Sequence, residues 1–260
     1  MAPQAGLAAA ALIVNAAVWG LSWWPFRRLD ELGLHPLWAT TFVYAVISVL
    51  LLAVRPRSVQ ELLRPGPLWV LVAAAGTTNA AFNWAVSIGD VVRVVLLFYL
   101  MPLWAVLLAR VLLHEAITPR AVVRVALGLC GAFIVLWPED GLRHFSSGAA
   151  TDAQAGGLAD LLGRALEGGL ADALALIGGF SFALNNVMLR RQASSSEAAR
   201  AAAMFLGGSL VAGVLGLVLV QAGSVAAPRW EAAAQWWPWA LALSTAFLGA
   251  NLALQYGATR

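Results

Sequence analysis

Lysine is absent from this chain. All 16 basic residues among its 260 are arginines. A Walker A phosphate loop and Schiff-base chemistry both need Lys and are excluded. Cysteine is reduced to Cys130 alone, which excludes a disulfide scaffold. Charge is scarce as well: 11% of residues carry one, against roughly 25% in an average soluble domain. The net charge of +3 reflects a few unpaired arginines and not a basic patch for nucleic acid. What fills the chain instead is apolar: 61% of residues, with a mean hydropathy of +0.80. That is too much for one soluble core and rules out a disordered chain. The composition is that of an all-α polytopic membrane protein.

About 20 mostly apolar residues are needed to cross roughly 30 Å of hydrocarbon as a helix. Eight stretches qualify: Gly6–Phe26, Pro36–Val54, Pro67–Ile88, Val91–Leu113, Ala121–Trp137, Ala171–Leu189, Ala199–Val220 and Trp237–Gly257. Short charged turns such as Arg27-Arg28-Leu29-Asp30-Glu31 and Arg55-Pro56-Arg57 separate most of them. The period-two alternation of a membrane barrel is missing. The first stretch lacks a basic leader, and Asn15 and Trp19 interrupt it, so it reads as a span and not a cleaved signal. With the N-terminus inside, ten arginines fall on the inner side and six on the outer. That balance orients the N-terminus to the cytoplasm of a plasma (inner) membrane. Trp38, Trp69, Trp137, Trp236, Trp237 and Trp239 sit at span ends, where interfacial anchors belong.

Residues 138–170 form an extramembrane linker rich in Gly, Ala and Ser. Leu158, Leu161, Leu162 and Leu166 recur there at helical spacing, as a surface-lying helix or a flexible tether. The two sides of the linker resemble each other. A shift of 163 places Phe26-Arg27-Arg28 on Leu189-Arg190-Arg191, and a shift of 168 places Asn83-x-Ala85 on Asn251-x-Ala253. The first copy, residues 1–137, holds five spans, an odd number. The second, residues 171–260, therefore enters the membrane from the opposite side, which is the inverted-repeat pattern of transporters. It holds three spans, eight of an expected ten in all, and its counterpart of Trp137 maps about 45 residues past Arg260. A C-terminal truncation is the expectation.

Three stretches resemble a known family. They are Ala17-Val18-Trp19-Gly20-Leu21-Ser22, Leu100-Met101-Pro102-Leu103-Trp104 through His114-Glu115, and Thr118-Pro119-Arg120 followed by Gly128-Leu129-Cys130-Gly131. The chain is similar to EamA-type permeases of the drug/metabolite transporter superfamily. The resemblance implies ten spans, both termini in the cytoplasm, and movement of small metabolites without ATP.

Polar groups deep in lipid usually face a bundle interior or a wet path. In the third span Asn79, Asn83, Ser87 and Asp90 recur along one helical face. Asn15, Trp19, Ser22 and Trp23 do so in the first span, Ser181, Asn185 and Asn186 in the sixth, and Ser244, Asn251 and Gln255 in the eighth. Asn15, Trp19, Trp23, Asn79, Asn83, Ser87, Asn185, Asn186, Asn251 and Gln255 are therefore the candidates for lining a central substrate cavity. Their bland reading is packing glue between helices. Asp90 and Arg93 are expected to neutralise each other at the outer rim, Pro102 to kink its span, and Glu115 to pair with Arg110 or Arg120 in a gating or structural role. No acid falls in the middle of a span, and His35, His114 and His144 lie near span ends or in loops, so no intramembrane proton carrier is expected. Gly128, Gly131 and Ala132, and Gly208, Ala212 and Gly216, read as helix-contact faces, with a homodimer as one use for them.

The alternatives are an intramembrane lipid-modifying enzyme and a non-transporting scaffold. An enzyme needs reactive residues at working spacing, and there is no Gly-x-Ser-x-Gly elbow, no His-Glu-x-x-His and no acidic metal pair. The expected partners are a small-molecule substrate and the lipid bilayer. No cofactor, metal or nucleic acid is called for.

Overall fold

The computed structural model describes residues 2–62, 66, 68–136, 158–192 and 195–258. They form eleven α-helices and one 3-10 turn, with no strand among the described residues. In chain order the helices are α1 (Ala2–Leu21), α2 (Trp23–Glu31), α3 (Pro36–Val54), α4 (Arg57–Leu62), α5 (Leu68–Ile88), α6 (Val91–Phe98), α7 (Met101–Leu112), α8 (Pro119–Leu136), α9 (Leu158–Arg191), α10 (Glu197–Gln221) and α11 (Ala233–Ala258). The 3-10 turn, Trp230–Ala232, leads into α11. The chain is a multi-pass membrane protein. Six helical stretches are long and apolar enough to cross a bilayer: Gly6–Glu31, Pro36–Val54, Val91–Leu112, Gly169–Arg191, Glu197–Gln221 and Trp230–Leu254. The other two expected spans are helical as α5 and α8. Thr77, Thr78, Asn79, Asn83 and Ser87 dilute the apolar character of α5, because this helix lies inside the bundle, where lipid does not set its composition.

Local sequence sets the helix ends. Ser196 caps α10, its Oγ accepting the Ala199 N–H at 3.2 Å, with Glu197 in the first turn. Pro36 opens α3 at the position where a missing N–H costs nothing. The run Arg27–Glu31, expected as a turn, is helical instead. Phe26 and Leu29 are fully buried there, and that burial holds the last turns of α2 in the bundle. The Arg27 guanidinium donates to the carbonyls of Val86 (3.0 Å) and Gly89, which end α5. It also lies 5.3 Å from the Trp23 ring centroid.

Packing centres on α5. It is flanked by α9 and α10, and α10 packs in turn on α3. Glycine makes the α5–α10 crossing possible: a Cβ added at Gly76 would overlap the Gly207 carbonyl, and one at Gly207 would overlap that of Val72. Gly208 and Gly216 lie against the rings of Tyr44 and Trp38, so the small-residue face expected on α10 is a contact face. The one expected on α8 meets no neighbour among the described residues. None of them lies within 4 Å of a Cβ built at Gly128 or Gly131, and Val122, Val123 and Leu127 beside them are exposed. Ala132 has no described side chain.

Two of the expected interfacial tryptophans are buried instead. Trp38 Nε1 donates to the Ala226 carbonyl and Trp236 Nε1 to that of Arg229, both at 3.1 Å. Each ring packs against Phe42, since a buried indole needs a partner for its N–H. Trp69 and Trp237 are exposed as expected, Trp239 is half-buried, and Trp137 lies outside the described residues. The linker stretch 138–157 is likewise outside them, and the backbone from Leu158 onward is continuous with α9.

Candidate functional site

Two kinds of hydrogen-bonded hydroxyl and amide side chains occur on the inward helix faces here. The first kind bonds the carbonyl one turn back on its own helix. Thr41 bonds Leu37, Thr78 bonds Ala74, Ser87 bonds Asn83 and Ser244 bonds Ala240, all at 2.7 to 2.8 Å, and Ser244 Oγ also reaches the Val43 carbonyl of α3 at 3.2 Å. In these groups the hydroxyl proton is already committed to a backbone carbonyl. The second kind bonds across helices, side chain to side chain. Tyr44 Oη donates to Asn79 Oδ1 at 2.7 Å, and Asn83 Nδ2 donates to Thr40 Oγ1 at 3.0 Å. Asn79 Nδ2 also holds the Ala75 carbonyl at 2.8 Å.

These four residues form a polar row between α3 and α5, stepping one helical turn at a time: 40 and 44 on α3, 79 and 83 on α5. Thr40, Tyr44 and Asn83 are at most 1% exposed, and Asn79 is half-buried. An aromatic wall closes it. Trp19 of α1 stacks on Phe247 of α11 with centroids 4.5 Å apart and planes at 17°. Phe247 and Phe205 meet the Tyr44 ring at 5.8 and 5.7 Å. Elements α1, α3, α5, α10 and α11 thus converge on one buried patch with hydrogen-bonding groups on one side and π faces on the other.

The structure brings Trp19, Asn79 and Asn83 of the sequence candidates to this patch. Two other candidates carry a buried oxygen with no hydrogen bond in the structure: Asn15 Oδ1 on α1 and Asn185 Oδ1 on α9. A buried acceptor left unbonded costs about 1–3 kcal/mol, so both are places where a visiting donor gains most. Trp19 of α1 lies opposite Phe247, and Trp24 of α2 meets Trp239 with centroids 5.2 Å apart, so the α1–α2 stretch and α11 run antiparallel. Asn15 and Asn251, each four residues further along, then share a level one turn beyond the stack. Asn186 and Asn251 are half-buried. Trp23 packs against Arg27 and the Ala171 region, away from the patch. The side chain of Gln255 lies outside the described ones. Thr40 and Tyr44 were missed. The third span betrays its inward face by Asn spacing, whereas α3 offers only hydroxyls, Thr40, Thr41, Tyr44 and Ser48, scattered in an apolar run.

One expected pairing is corrected, and a second residue gains a distant partner. Asp90 does not hold the Arg93 guanidinium. Its Oδ1 caps α6 by accepting the Arg93 backbone N–H at 2.8 Å. The guanidinium goes to Asp172 of α9 in a two-pronged pair, Nε to Oδ1 at 2.8 Å and Nη2 to Oδ2 at 2.6 Å. A fork matched to a carboxylate outcompetes a single contact to a neighbour already used as a cap. Glu115 meets Arg190 of α9, a distant partner the sequence did not suggest. Pro102 does break its span: α6 ends at Phe98 and α7 begins at Met101. An apolar hollow lined by Tyr99, Leu100, Pro102, Leu103, Val125, Gly128 and Leu129 sits beside that break, away from the polar row.

A family model described as the EamA-like transporter family matches residues 6–137, just over half of the chain and the stretch from α1 to α8. No curated protein and no solved structure matches it.

Proposed function

The chain belongs to the EamA-like transporter family, and from that premise we propose that it is a secondary transporter of small amphipathic metabolites, amino acids or their relatives. The observation that carries the reading is the exchangeable bonding of Thr40, Tyr44, Asn79 and Asn83. A side chain bonded to its own backbone stays bonded. A side chain bonded to another can trade that partner for a solute of equal hydrogen-bonding capacity. The aromatic faces of Trp19, Tyr44 and Phe247 suit the apolar part of such a solute, and the open acceptors of Asn15 and Asn185 suit its donors.

Contact symmetry supports an inverted repeat. The sequence offsets relate α1–α2 to α9, α3 to α10 and α5 to α11. Under that relation the α5–α9 contact answers α1–α11, α5–α10 answers α3–α11, and α3–α10 maps onto itself. All of these pairs are packed. In this reading α5 and α8 complete eight spans. Residues 1–137 and 171–260 are the two halves, 138–170 joins them, and the N-terminus faces the cytoplasm of the inner membrane. Transport proceeds by rocking one half against the other about the buried row, which is alternating access. The gating or structural candidates Asp90, Arg93, Pro102 and Glu115 stand at the rims and at the hinge of the sixth and seventh helices.

The test is flux of labelled amino acids into proteoliposomes. Asn83→Ala and Tyr44→Phe are expected to lower flux about ten-fold, the worth of one good hydrogen bond to substrate. Thr78→Ala and Ser87→Ala, which lose only a bond to their own helix, should leave it within about two-fold. Equal effects in both groups reject the site. Flux absent throughout a panel of amphipathic solutes favours the scaffold reading.

A further inference from the structure

Two ion pairs bind the α6–α7 arm to α9, and they stand at opposite ends of it. Arg93 meets Asp172 near the start of α6, and Glu115 meets Arg190 just past the end of α7. Residues 172 and 190 are 18 apart on one continuous helix, about 27 Å. That is close to the roughly 30 Å of hydrocarbon in a bilayer, so one pair lies at each face. Between them the arm is broken. Tyr99 and Leu100 fall outside both helices, and Pro102 has no N–H to give the Phe98 carbonyl. That carbonyl rests on Gly179 so closely that a Cβ added at Gly179 would overlap it. Phe98 packs its ring on Phe182 at 5.4 Å, and Trp104 meets Phe180 at 5.7 Å. On the opposite side of the break lies the hollow beneath α8, which leaves the joint room to bend.

We propose that α6 and α7 are two separately latched gate arms, hinged at Tyr99–Pro102 on the Gly178–Gly179 pivot, with Arg93–Asp172 closing one face of the membrane and Glu115–Arg190 the other. The break is what makes the arms independent. A continuous helix would swing as a lever and disturb both ends at once. The latches are also weak enough to work. Arg93 and Arg190 each keep 57% of their side-chain surface exposed, and wet pairs of this kind are made and broken at little cost. Beneath each latch a small side chain is sealed: Val94 is 1% exposed and Ala109 8%. The purpose given to the gates rests on the transporter reading, but the gates themselves can be tested without flux.

Cys130 is the only cysteine, so a Cys130→Ser background carries single reporters, Val94→Cys or Ala109→Cys. Labelling by a membrane-impermeant maleimide, applied to each face of reconstituted vesicles, reads the opening. Asp172→Asn is expected to raise labelling of the Val94→Cys reporter about two- to five-fold, the weight of one wet ion pair. The Ala109→Cys reporter should not change. Glu115→Gln is expected to do the reverse. Exchanging the charges, Arg93→Asp with Asp172→Arg, should return labelling to the reference rate, and this variant decides the matter if Asp172→Asn does not fold. Labelling that rises at both reporters together, or at neither, or that stays raised after the exchange, overturns the proposal. Face-specific labelling without flux would refute the transport reading and leave the latches standing. Flux with face-blind labelling would do the opposite.

Discussion

Helices α10 and α8 are written in nearly the same alphabet and meet opposite fates. Both are apolar and both carry small residues at close-packing spacing. On α10 every such residue is in use: Gly207 lies against the α5 backbone, Gly208 against Tyr44, Gly213 against Thr41 and Gly216 against Trp38. On α8 no described residue touches a Cβ built at Gly128 or Gly131, and Gly128 borders a hollow. A missing Cβ permits close approach but does not attract a partner. Topology supplies the partner, and it delivers α3 and α5 to α10 while leaving α8 on the rim of α6 and α7.

The sharpest way to break that contrast is to fill both faces. Gly207→Val drives a side chain into the Val72 carbonyl, and backbone cannot step aside as a flexible side chain can. A loss of roughly 3 kcal/mol or more is expected, enough to remove the monodisperse peak in detergent chromatography. Gly131→Val should move the melting temperature by no more than a surface substitution does. Next in size is Gly208→Ala, whose methyl would meet the Tyr44 ring. A cost of about 1–3 kcal/mol should come with lower flux, because displacing Tyr44 opens its bond to Asn79. A stable, fully active Gly208→Ala protein would mean that the polar row tolerates misplacement and does not bind substrate.

Smaller effects test the same contrast at the tryptophans. Trp236→Phe leaves the Arg229 carbonyl without its donor and should cost about 1 kcal/mol in thermal unfolding. Trp69→Phe, on an exposed ring, should cost less than half of that. A pH-dependent effect about as small as that at Trp236 sits at a joint. His35 Nδ1 accepts the Leu37 N–H at 3.2 Å, and its ring meets Trp84 at 5.0 Å. Burial lowers its pKa from 6.5 to about 4. The folded state therefore resists a proton that the unfolded chain takes up. The stability this group contributes is full above pH 6.5 and is lost as pH falls toward 4, beyond which the loss is complete. About 1 kcal/mol is expected after solvent screening. His35→Asn keeps a capping acceptor and should flatten that part of the stability profile. An unchanged profile would show that the proton is not excluded.

The asymmetry between α10 and α8 also marks what can be read from residues in order. Six of the eight expected spans were legible because a bilayer imposes one length and one polarity, and helices of the structure fall where the apolar runs do. The inward face of α5 was legible because Asn79 and Asn83 recur at one turn. Tyr44 and Thr40 were not, since the hydroxyls of α3 show no single spacing and these two gain meaning only opposite Asn79 and Asn83. The ion pairs went astray for a related reason. Sequence favours near neighbours such as Asp90 and Arg110, whereas Arg93 and Glu115 reach 79 and 75 residues away.

Composition and periodicity alone therefore determined that this protein is a helical membrane protein, where its helices run and which face of α5 turns inward, because each of these follows from the cost of putting a peptide or an amide into oil. Which glycines are contacts, which tryptophans are anchors and which carboxylate holds which arginine were decided by the tertiary structure. Those outcomes depend on what arrives on the other side, and no residue carries that information by itself.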